Sequence, residues 1–295
     1  MQKITPFLWF DNQAEEAMNF YTSVFNNSKV GQVSRYGEAG PGPAGSVLTA
    51  SFELEGLQFT ALNGGPAFNF TPAISFFVNC ESESEIDKVW GRLVENGSVL
   101  MPLQAYPFSE KFGWLEDKYG LSWQLNLGAR VQKIVPYLLF VGKQHGKAEE
   151  AVNFYTSLFK DSGIENIVNY GPGQEEEEGT VMHAAFRLAG LEFMAMDSNQ
   201  EHQFTFTEAI SLYVDCHSQE EVDFFWEKLG EGGDESAQQC GWLKDRYGVS
   251  WQIVPSVLID LINDPDPEKA KRVTEAMLQM KKIEIPVLEQ AYEIA

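Results

Sequence analysis

The sequence has little positive charge, few cysteines and few histidines. Lys and Arg together number 21 against 43 Asp and Glu, so the formal net charge is -22. A surplus of acid repels phosphate backbones and anionic membrane surfaces, and we therefore expect neither nucleic-acid nor membrane binding. The three cysteines are odd in number and lack the spacing of a zinc site. We therefore expect neither a disulfide framework nor a structural zinc site.

Long apolar runs are also missing. No stretch of 18 consecutive apolar residues occurs, and we expect no membrane span. The first ten residues lead directly into an acidic segment, a pattern that is not typical of a signal peptide. Together with the sparse cysteines, these features predict a cytoplasmic protein in a reducing compartment.

The chain does contain a repeat of itself. Residues 14–25 return as residues 148–159 with identity at 10 of 12 positions. Residues 112–124 return as residues 240–252 with identity at 9 of 13 positions. A period of this length is far longer than the roughly 20–50 residues of a solenoid repeat. We interpret it as a duplicated domain, with a first copy over 1–128, a second over 131–254, and an extension over 255–295.

Within each copy the same order of elements occurs twice. Ile4–Phe10 reads as a short apolar strand, and the segment after it carries the apolar stripe of a helix. The glycine- and proline-rich stretch 37–45 predicts a loop, and the turn signal after it predicts a hairpin. Later in the copy, Ser84 with Asp87 suggests the N-cap of a second helix. The fold class is therefore α+β, with two βαβββ modules in each copy.

The extension over 255–295 differs from both copies. Residues 255–263 have helical character, and the Asp-Pro-Asp-Pro sequence at 264–267 breaks the helix and favours the start of another. Residues 268–282 carry apolar side chains at helical spacing, and 287–294 suggests one more helix. We expect these helices to pack on the duplicated body rather than to serve as a partner-binding arm.

The paired βαβββ modules resemble the vicinal oxygen chelate superfamily, which includes glyoxalase I, bleomycin-resistance proteins and extradiol dioxygenases. Four local motifs are closer to one branch of it. These motifs are the Pro-Phe-Leu-Trp-Phe run at 6–10, Glu-Glu-Ala with Phe-Tyr at 15–21, Leu-Asn-Gly-Gly-Pro at 62–66, and the 112–124 stretch. They are similar to the PhnB-like proteins, commonly filed as 3-demethylubiquinone-9 3-methyltransferase. The resemblance implies two tandem glyoxalase/bleomycin-resistance-like domains.

The resemblance also implies that the two modules of a domain curl around a cup, where enzymatic relatives hold a divalent metal with four ligands, usually His and Glu. By motif, the last ligand position falls on Gln124 and Gln252. The first falls near Thr5 and Val135. The remaining two fall within 61–63 and 73–75, or within 195–197 and 209–211 in the second copy. No copy offers two His and two carboxylates there. We therefore expect no divalent metal, and the cofactor stays unknown.

The methyltransferase name has its own requirement. A typical S-adenosylmethionine site uses a glycine-rich turn that leads from a strand into a helix. The glycine-rich segments 37–45 and 171–173 each lead to a strand, and we read them as ordinary loops.

Aromatic and amide side chains are the remaining candidates for a ligand site. Trp9, Trp114 and Phe7 are candidates for an aromatic cup wall or for core packing, since alternation along a strand sends only one set of side chains to the cup. Asn63 and Gln124 are the polar candidates of one cup, with Asp197 and Gln252 as their counterparts. The ligand-binding candidates are Phe7, Trp9, Asn63, Ser75, Trp114, Gln124, Asp197, Ser211, Trp242 and Gln252. Catalytic residues are not identified.

Several functional hypotheses remain open. One is an enzyme of the vicinal oxygen chelate type that acts on a small, apolar or aromatic molecule. A second is a non-catalytic protein that sequesters such a ligand, and a third is the methyltransferase of the family name. One copy can also be active while the other serves as scaffold. Because single-domain relatives tend to pair, the tandem is expected to be a pseudo-dimeric monomer or a weak homodimer.

Overall fold

The structure is a computed structural model that describes residues 2–174 and 176–293. Met1, Glu175, Ile294 and Ala295 lie outside the described residues. The predictions that fall on them are the first residue of the first domain and the ends of the last helix and of the C-terminal extension.

The first copy contains eight strands and two helices in the predicted order. Its first module is β1 (Ile4–Phe10), α1 (Ala14–Val24), β2 (Ser28–Arg35), β3 (Val47–Leu54) and β4 (Leu57–Asn63). Its second module is β5 (Ile74–Cys80), α2 (Glu83–Leu93), β6 (Ser98–Tyr106), β7 (Ser109–Glu116) and β8 (Ser122–Leu127). The stretch 37–45 is a loop, as predicted.

The second copy repeats this order, and the tail is helical. The third module is β9 (Ile134–Val141), α3 (Ala148–Leu158), β10 (Gly163–Asn169), β11 (Val181–Leu188) and β12 (Leu191–Ser198). The fourth is β13 (Ile210–Cys216), α4 (Gln219–Gly230), β14 (Asp234–Gln239), β15 (Trp242–Lys244) and β16 (Ser250–Pro255). The tail forms α5 (Ser256–Ile262), α6 (Pro267–Leu278) and α7 (Ile285–Glu293). The α+β class, the four βαβββ modules and the helical extension are confirmed.

The strands form two eight-stranded sheets, and each sheet mixes the two copies. Sheet I has the order β14-β15-β16-β13-β1-β4-β3-β2, and sheet II has the order β10-β11-β12-β9-β5-β8-β7-β6. Sheet I therefore joins the first module of copy one to the second module of copy two, through the antiparallel pair β1 and β13. Sheet II joins the other two modules through β5 and β9. Our expectation that the two modules of one copy share a cup was wrong.

Alternation along β1 places its side chains on two faces. Ile4, Leu8 and Phe10 are buried in the large apolar core. Phe7 and Trp9 point to the opposite, cup-facing side of sheet I and line a cavity there. This is the period-two pattern of a strand with two different environments.

The tail helices pack on the cup-facing side of sheet I. A second apolar cluster joins Val254 at the end of β16 to Leu258, Val273, Ile283 and Leu288 of the tail, and Tyr213 of β13 packs against it. The expectation that the helices pack on the body is confirmed. Among the described residues, no helix combines the length and the apolar character needed to cross a membrane.

The N-cap of α2 differs from the prediction. Ser82, not Ser84, caps the helix, and its side chain accepts a hydrogen bond from the Glu85 backbone N–H. The Glu85 carboxylate accepts in turn from the backbone N–H of Glu81 at 2.8 Å. The cap therefore starts two residues earlier than predicted, with Glu85 instead of Asp87 at its third position, and the Glu85 carboxylate reaches the residue before the N-cap.

Candidate functional site

The cup of sheet I holds a large, partly open cavity. Its volume is about 1650 Å³, and its wall includes Phe7, Trp9, Tyr213 and Trp242. Helices α5 and α6 of the tail and the loop at 37–44 complete the wall. The cavity therefore brings together an aromatic sheet face and two covering segments that come from opposite ends of the chain.

The aromatic rings of this cup are in mutual contact. Trp242 meets Phe7 edge-on, with ring centroids 5.9 Å apart and an interplanar angle of 89°. It meets Trp9 at 5.8 Å and 80°. Phe7 also stacks on Tyr213 at 6.3 Å. Edge-to-face contacts of this kind are favourable and orient the rings, so the wall has a defined shape.

Backbone geometry holds Trp9 in place. Its indole N–H donates to the Gly65 carbonyl at 2.7 Å. A Cβ atom at Gly64 would lie 2.2 Å from the Trp9 ring, so only glycine fits at this position. The Leu-Asn-Gly-Gly-Pro motif at 62–66 thus serves to seat the tryptophan.

Polar residues also line the sheet I cavity. Gln252 donates to the Ser211 hydroxyl at 2.9 Å, and its Oε1 receives no hydrogen bond from the described residues. Thr5 and Thr60 line the same cavity. A few polar groups in an apolar wall are the usual means of orienting a small ligand.

The cup of sheet II has a different surface. Val135, Tyr137 and Met194 are buried in a local cluster, and Phe77 and Met196 pack against it. In the repeat, Val135 and Met194 replace the two threonines of the sheet I cup. At these two positions the cup of sheet I therefore has hydroxyl-bearing residues, whereas the cup of sheet II has apolar residues.

Gln124, Ser75 and Trp114 lie in sheet II. The Gln124 side chain donates to the Ser75 hydroxyl at 2.8 Å, which repeats the pair formed by Gln252 and Ser211. The Trp114 indole donates to the Ser122 hydroxyl at 2.8 Å. The structure thus divides these candidates between the two sheets. Sheet II holds Ser75, Trp114 and Gln124, and sheet I holds Phe7, Trp9, Ser211, Trp242 and Gln252.

Asn63 lies away from both cups. Its Oδ1 accepts from the Ala14 backbone N–H at 2.8 Å, and its amide donates to the Val47 carbonyl at 3.1 Å. It therefore ties the start of α1 to the sheet. The structure does not bring Asn63 and Gln124 together, because they belong to modules in different sheets.

Asp197 has the equivalent structural position in the second copy. One oxygen accepts from the backbone N–H groups of Gly146 and Ala148 at the start of α3, and the other accepts from Val181. Burial raises the pKa of Asp197, and the three backbone donors work against that shift. A carboxylate at a helix N-terminus also interacts favourably with the helix dipole. The backbone thus supplies the donors that this buried carboxylate needs.

The positions that hold a metal in the superfamily do not fit one here. In the sheet I cup they are Thr5, Gln252 and the segments 61–63 and 209–211, which offer hydroxyl and amide oxygens but no His. Among the described residues, no group of three or more His, Cys, Asp and Glu could hold a metal ion. Neutral oxygen donors without carboxylates are weak ligands for a divalent cation.

The glycine-rich loop at 37–45 has a packing role. A Cβ at Gly40 or Gly42 would lie within 2.6 Å of the Tyr36 ring. The loop wraps this ring, whose hydroxyl donates to the Asn63 carbonyl at 2.5 Å. Close approach to Tyr36 therefore explains Gly40 and Gly42.

The repeated cysteines are poor nucleophiles. Cys80 and Cys216 are fully buried, and burial raises the pKa of each thiol to about 12. A thiol with such a pKa is almost entirely protonated at neutral pH. Burial of both thiols in the core therefore favours a structural role.

Sequence reasoning missed several cavity residues. Tyr213 on β13 and the tail residues Leu258 and Met277 all line the sheet I cavity. Alternation from the candidate Ser211 would have placed Tyr213 on the same strand face. No sequence signal indicated which cup the tail covers.

The comparisons with known proteins agree with this architecture. The family described as 3-demethylubiquinone-9 3-methyltransferase matches residues 2–126 and again residues 132–254. The chain belongs to this family. The resemblance to this family that the repeated motifs indicated is thereby confirmed. No match to a curated protein was found.

Solved structures match either one copy or both. A putative 3-demethylubiquinone-9 3-methyltransferase, PhnB protein, from Bacillus cereus is 55% identical and covers 43% of this chain and 100% of its own, with a TM-score of 0.41. A Staphylococcus aureus protein is 35% identical, covers 43% and 97%, and has a TM-score of 0.19. Glyoxalase I from Zea mays is 10% identical, covers 84% and 89%, and has a TM-score of 0.54. The glyoxalase match shows that this tandem PhnB-like chain shares the glyoxalase fold.

Proposed function

We propose that this PhnB-like chain binds a small, apolar or aromatic molecule in the cup of sheet I. The observation that supports the proposal is the cavity of about 1650 Å³ walled by Phe7, Trp9, Tyr213 and Trp242. Aromatic walls bind flat apolar ligands through burial and ring contacts. Gln252 and the threonine hydroxyls are the groups that would orient the ligand.

Three carboxylates on the sheet side of the cavity favour binding over acid–base catalysis. Glu53 pairs with Lys29 at 3.0 Å, and Glu208 pairs with Lys244 at 3.1 Å. Asp215 accepts a hydrogen bond from the Ser256 hydroxyl at 2.7 Å. A general base needs a carboxylate or imidazole that is free to accept a substrate proton. These carboxylates already have partners, so we place the sequestering function ahead of the enzymatic one.

The test uses the neutral fluorescent probe N-phenyl-1-naphthylamine, which has two aromatic units and no charge. We expect saturable binding to the full chain, and about fivefold weaker binding to Phe7→Leu, since one ring contact is worth about 1 kcal/mol. Tyr137→Leu is the matched control, because Tyr137 occupies the same repeat position in sheet II. Its probe affinity should stay within twofold of the parent.

Two results would count against the proposal. One is the absence of saturable probe binding, and the other is an equal loss of affinity in both variants. Calorimetry with S-adenosylmethionine is the companion measurement. Saturable binding of that cofactor would favour the methyl-transfer reaction in the family description instead.

We also propose that one chain supplies both partners of the paired arrangement and works as a monomer in the cytoplasm. Each sheet is already completed within the chain by modules from both copies. All three cysteines are free thiols, which suits a reducing compartment. A sedimentation mass of one chain is expected, and a stable two-chain particle would contradict it.

A further inference from the structure

One hydrogen bond is present in the first copy and missing in the second. In the repeated motif, Trp114 of the first copy corresponds to Trp242 of the second, and Ser122 corresponds to Ser250. The Trp114 indole N–H donates to the Ser122 hydroxyl at 2.8 Å. The Ser250 hydroxyl is fully buried and has no hydrogen-bond partner among the described residues. Such an orphaned buried hydroxyl is unfavourable, and its presence requires a reason.

The strand register does not explain the difference. Trp242 pairs with Gln252 and Lys244 pairs with Ser250 across β15 and β16. In the first copy, Trp114 pairs with Gln124 and Glu116 pairs with Ser122 in the same way. The two backbones therefore place each tryptophan and its serine at equivalent positions. The difference between the two copies therefore lies in the side chain of the tryptophan.

The neighbours across the sheet do explain it. Trp242 lies edge-on against both Phe7 and Trp9. We name the space beside these two rings, which the Trp242 ring occupies, the ring slot. In sheet II the equivalent positions hold Tyr137 and Leu139. Trp114 makes no ring contact there with the described residues. Aromatic contacts thus hold Trp242 in one orientation, while the hydrogen bond to Ser250 favours the other.

We propose that Trp242 is a ligand-responsive residue that selects planar aromatic ligands. A flat ring of the ligand enters the ring slot and takes over the contacts with Phe7 and Trp9. Trp242 then turns and donates its indole N–H to the Ser250 hydroxyl. The inference rests on the proposed binding function and deepens it by naming the ligand class. A saturated chain is a poorer replacement, since it lacks the ring edges and faces that these contacts use.

The first test needs no ligand and measures hydrogen exchange of the indole N–H groups in protein labelled with 15N-tryptophan. Trp242→Phe and Trp114→Phe assign the two signals. We expect the Trp114 indole to exchange at least tenfold more slowly than the Trp242 indole, because only Trp114 has an acceptor. Trp9→Leu gives sheet I the residue found in sheet II. It should slow exchange at Trp242 at least fivefold, and adding Ser250→Ala should restore fast exchange.

A Trp242 indole that is already as protected as Trp114 would overturn the proposal. So would a Trp242 signal that Trp9→Leu leaves unchanged. Both results would mean that the two orientations are not alternatives set by the ring slot.

The second test measures binding of N-phenyl-1-naphthylamine to two matched serine variants. Ser250→Ala removes the acceptor that the turned Trp242 needs, and probe affinity should fall about fivefold. Ser122→Ala removes a bond in the other sheet and should leave probe affinity unchanged. Thermal unfolding separates the two variants in the absence of probe. Ser122→Ala should lower Tm because it breaks an existing bond, whereas Ser250→Ala should not.

The outcomes separate the two proposals. If Phe7→Leu weakens probe binding and Ser250→Ala does not, the proposed turn of Trp242 toward Ser250 is wrong, while the proposed binding site stands. If the parent chain shows no saturable binding, both the site and its ligand-responsive residue are refuted. Binding of cyclohexyl analogues as tight as that of the aromatic probe would also refute the ligand class.

Discussion

At the scale of single residues, the motif that identifies the family is explained by one buried aspartate in each copy. Asp117 accepts hydrogen bonds from the Tyr21 hydroxyl, the Trp123 indole and two backbone N–H groups. Asp245 accepts the same four kinds of bond in the second copy. Tyr21 lies on a helix that packs on sheet I, and Asp117 lies in a turn of sheet II. The shared chemistry of the repeat therefore joins the two sheets rather than forming the cup.

Asp245 predicts a pH dependence of stability. Burial raises the pKa of Asp245 to about 6, against the four hydrogen bonds that lower it. Because the folded protein then holds this proton more tightly than the unfolded chain does, the stabilisation is complete below about pH 4 and is lost as pH rises through 6. A shift of about 2 units corresponds to about 3 kcal/mol.

Urea unfolding of the parent and of Asp245→Asn at several pH values tests this directly. The parent should lose about 3 kcal/mol relative to the variant between pH 4 and pH 7, since the variant cannot titrate at that position. Asp117→Asn should show a difference of the same sign, because burial raises the pKa of Asp117 as well. A parent–variant difference that stays constant with pH would contradict the prediction.

Some residues could be placed from the sequence and others could not. The two faces of β1 follow from alternation alone, and the structure has Phe7 and Trp9 on the cup side. Asn63 and Asp197 have strand positions that look equally suited to a ligand site. Their role depends on backbone N–H groups at the start of α1 and α3, which lie far away in sequence. Contacts of that kind have no local signature.

At the scale of elements, the tail helices were predictable as helices but not in their location. Asp266 caps α6 with its side chain, and Pro267 stands at the first helical position, as the sequence suggested. The cluster around Val254 shows that the helices pack as a separate layer beside the main core. Since this cluster is distinct from the main core, the body should fold without the tail.

A stop codon after Pro255 tests the contribution of the tail to the site. Removing α5 to α7 takes away the helical side of the cavity, and N-phenyl-1-naphthylamine should dissociate at least tenfold faster in stopped-flow experiments. Far-ultraviolet circular dichroism should retain the strand signal of the two sheets. Unchanged dissociation in a folded truncated chain would show that the tail takes no part in retaining the ligand.

At the scale of the whole molecule, the exchange of modules was beyond the reach of the sequence. Strands β5 and β13 have nearly the same sequence, Ile-Ser-Phe-Phe-Val-Asn-Cys and Ile-Ser-Leu-Tyr-Val-Asp-Cys. Either one offers β1 a suitable antiparallel partner by local pattern. Cross-strand contacts determine pairing, and between two similar repeats they are almost equal. The repeat could thus be found from the sequence, while the pairing of its halves could not.

The exchanged pairing predicts how separated halves behave. Residues 1–129 and 130–295, expressed together as two chains, should purify as a one-to-one complex, since each half alone leaves the edges of β1 and β5, or of β9 and β13, without a partner. Residues 1–129 alone should form a two-chain particle in sedimentation. A folded single-chain particle of that half would show that its two modules can close on each other.

The tail helices make the two cups unequal, because they cover the cup of sheet I. In a homodimer built from one short gene, any substitution appears in both cups at once, and neither can drift without the other. Fusion into one reading frame releases each cup to acquire its own residues, as the threonines of sheet I and the valine and methionine at the same places in sheet II illustrate. A single C-terminal segment can cover a single cup. A lineage that gained this segment could specialise one cup while the other retained only its share of the scaffold.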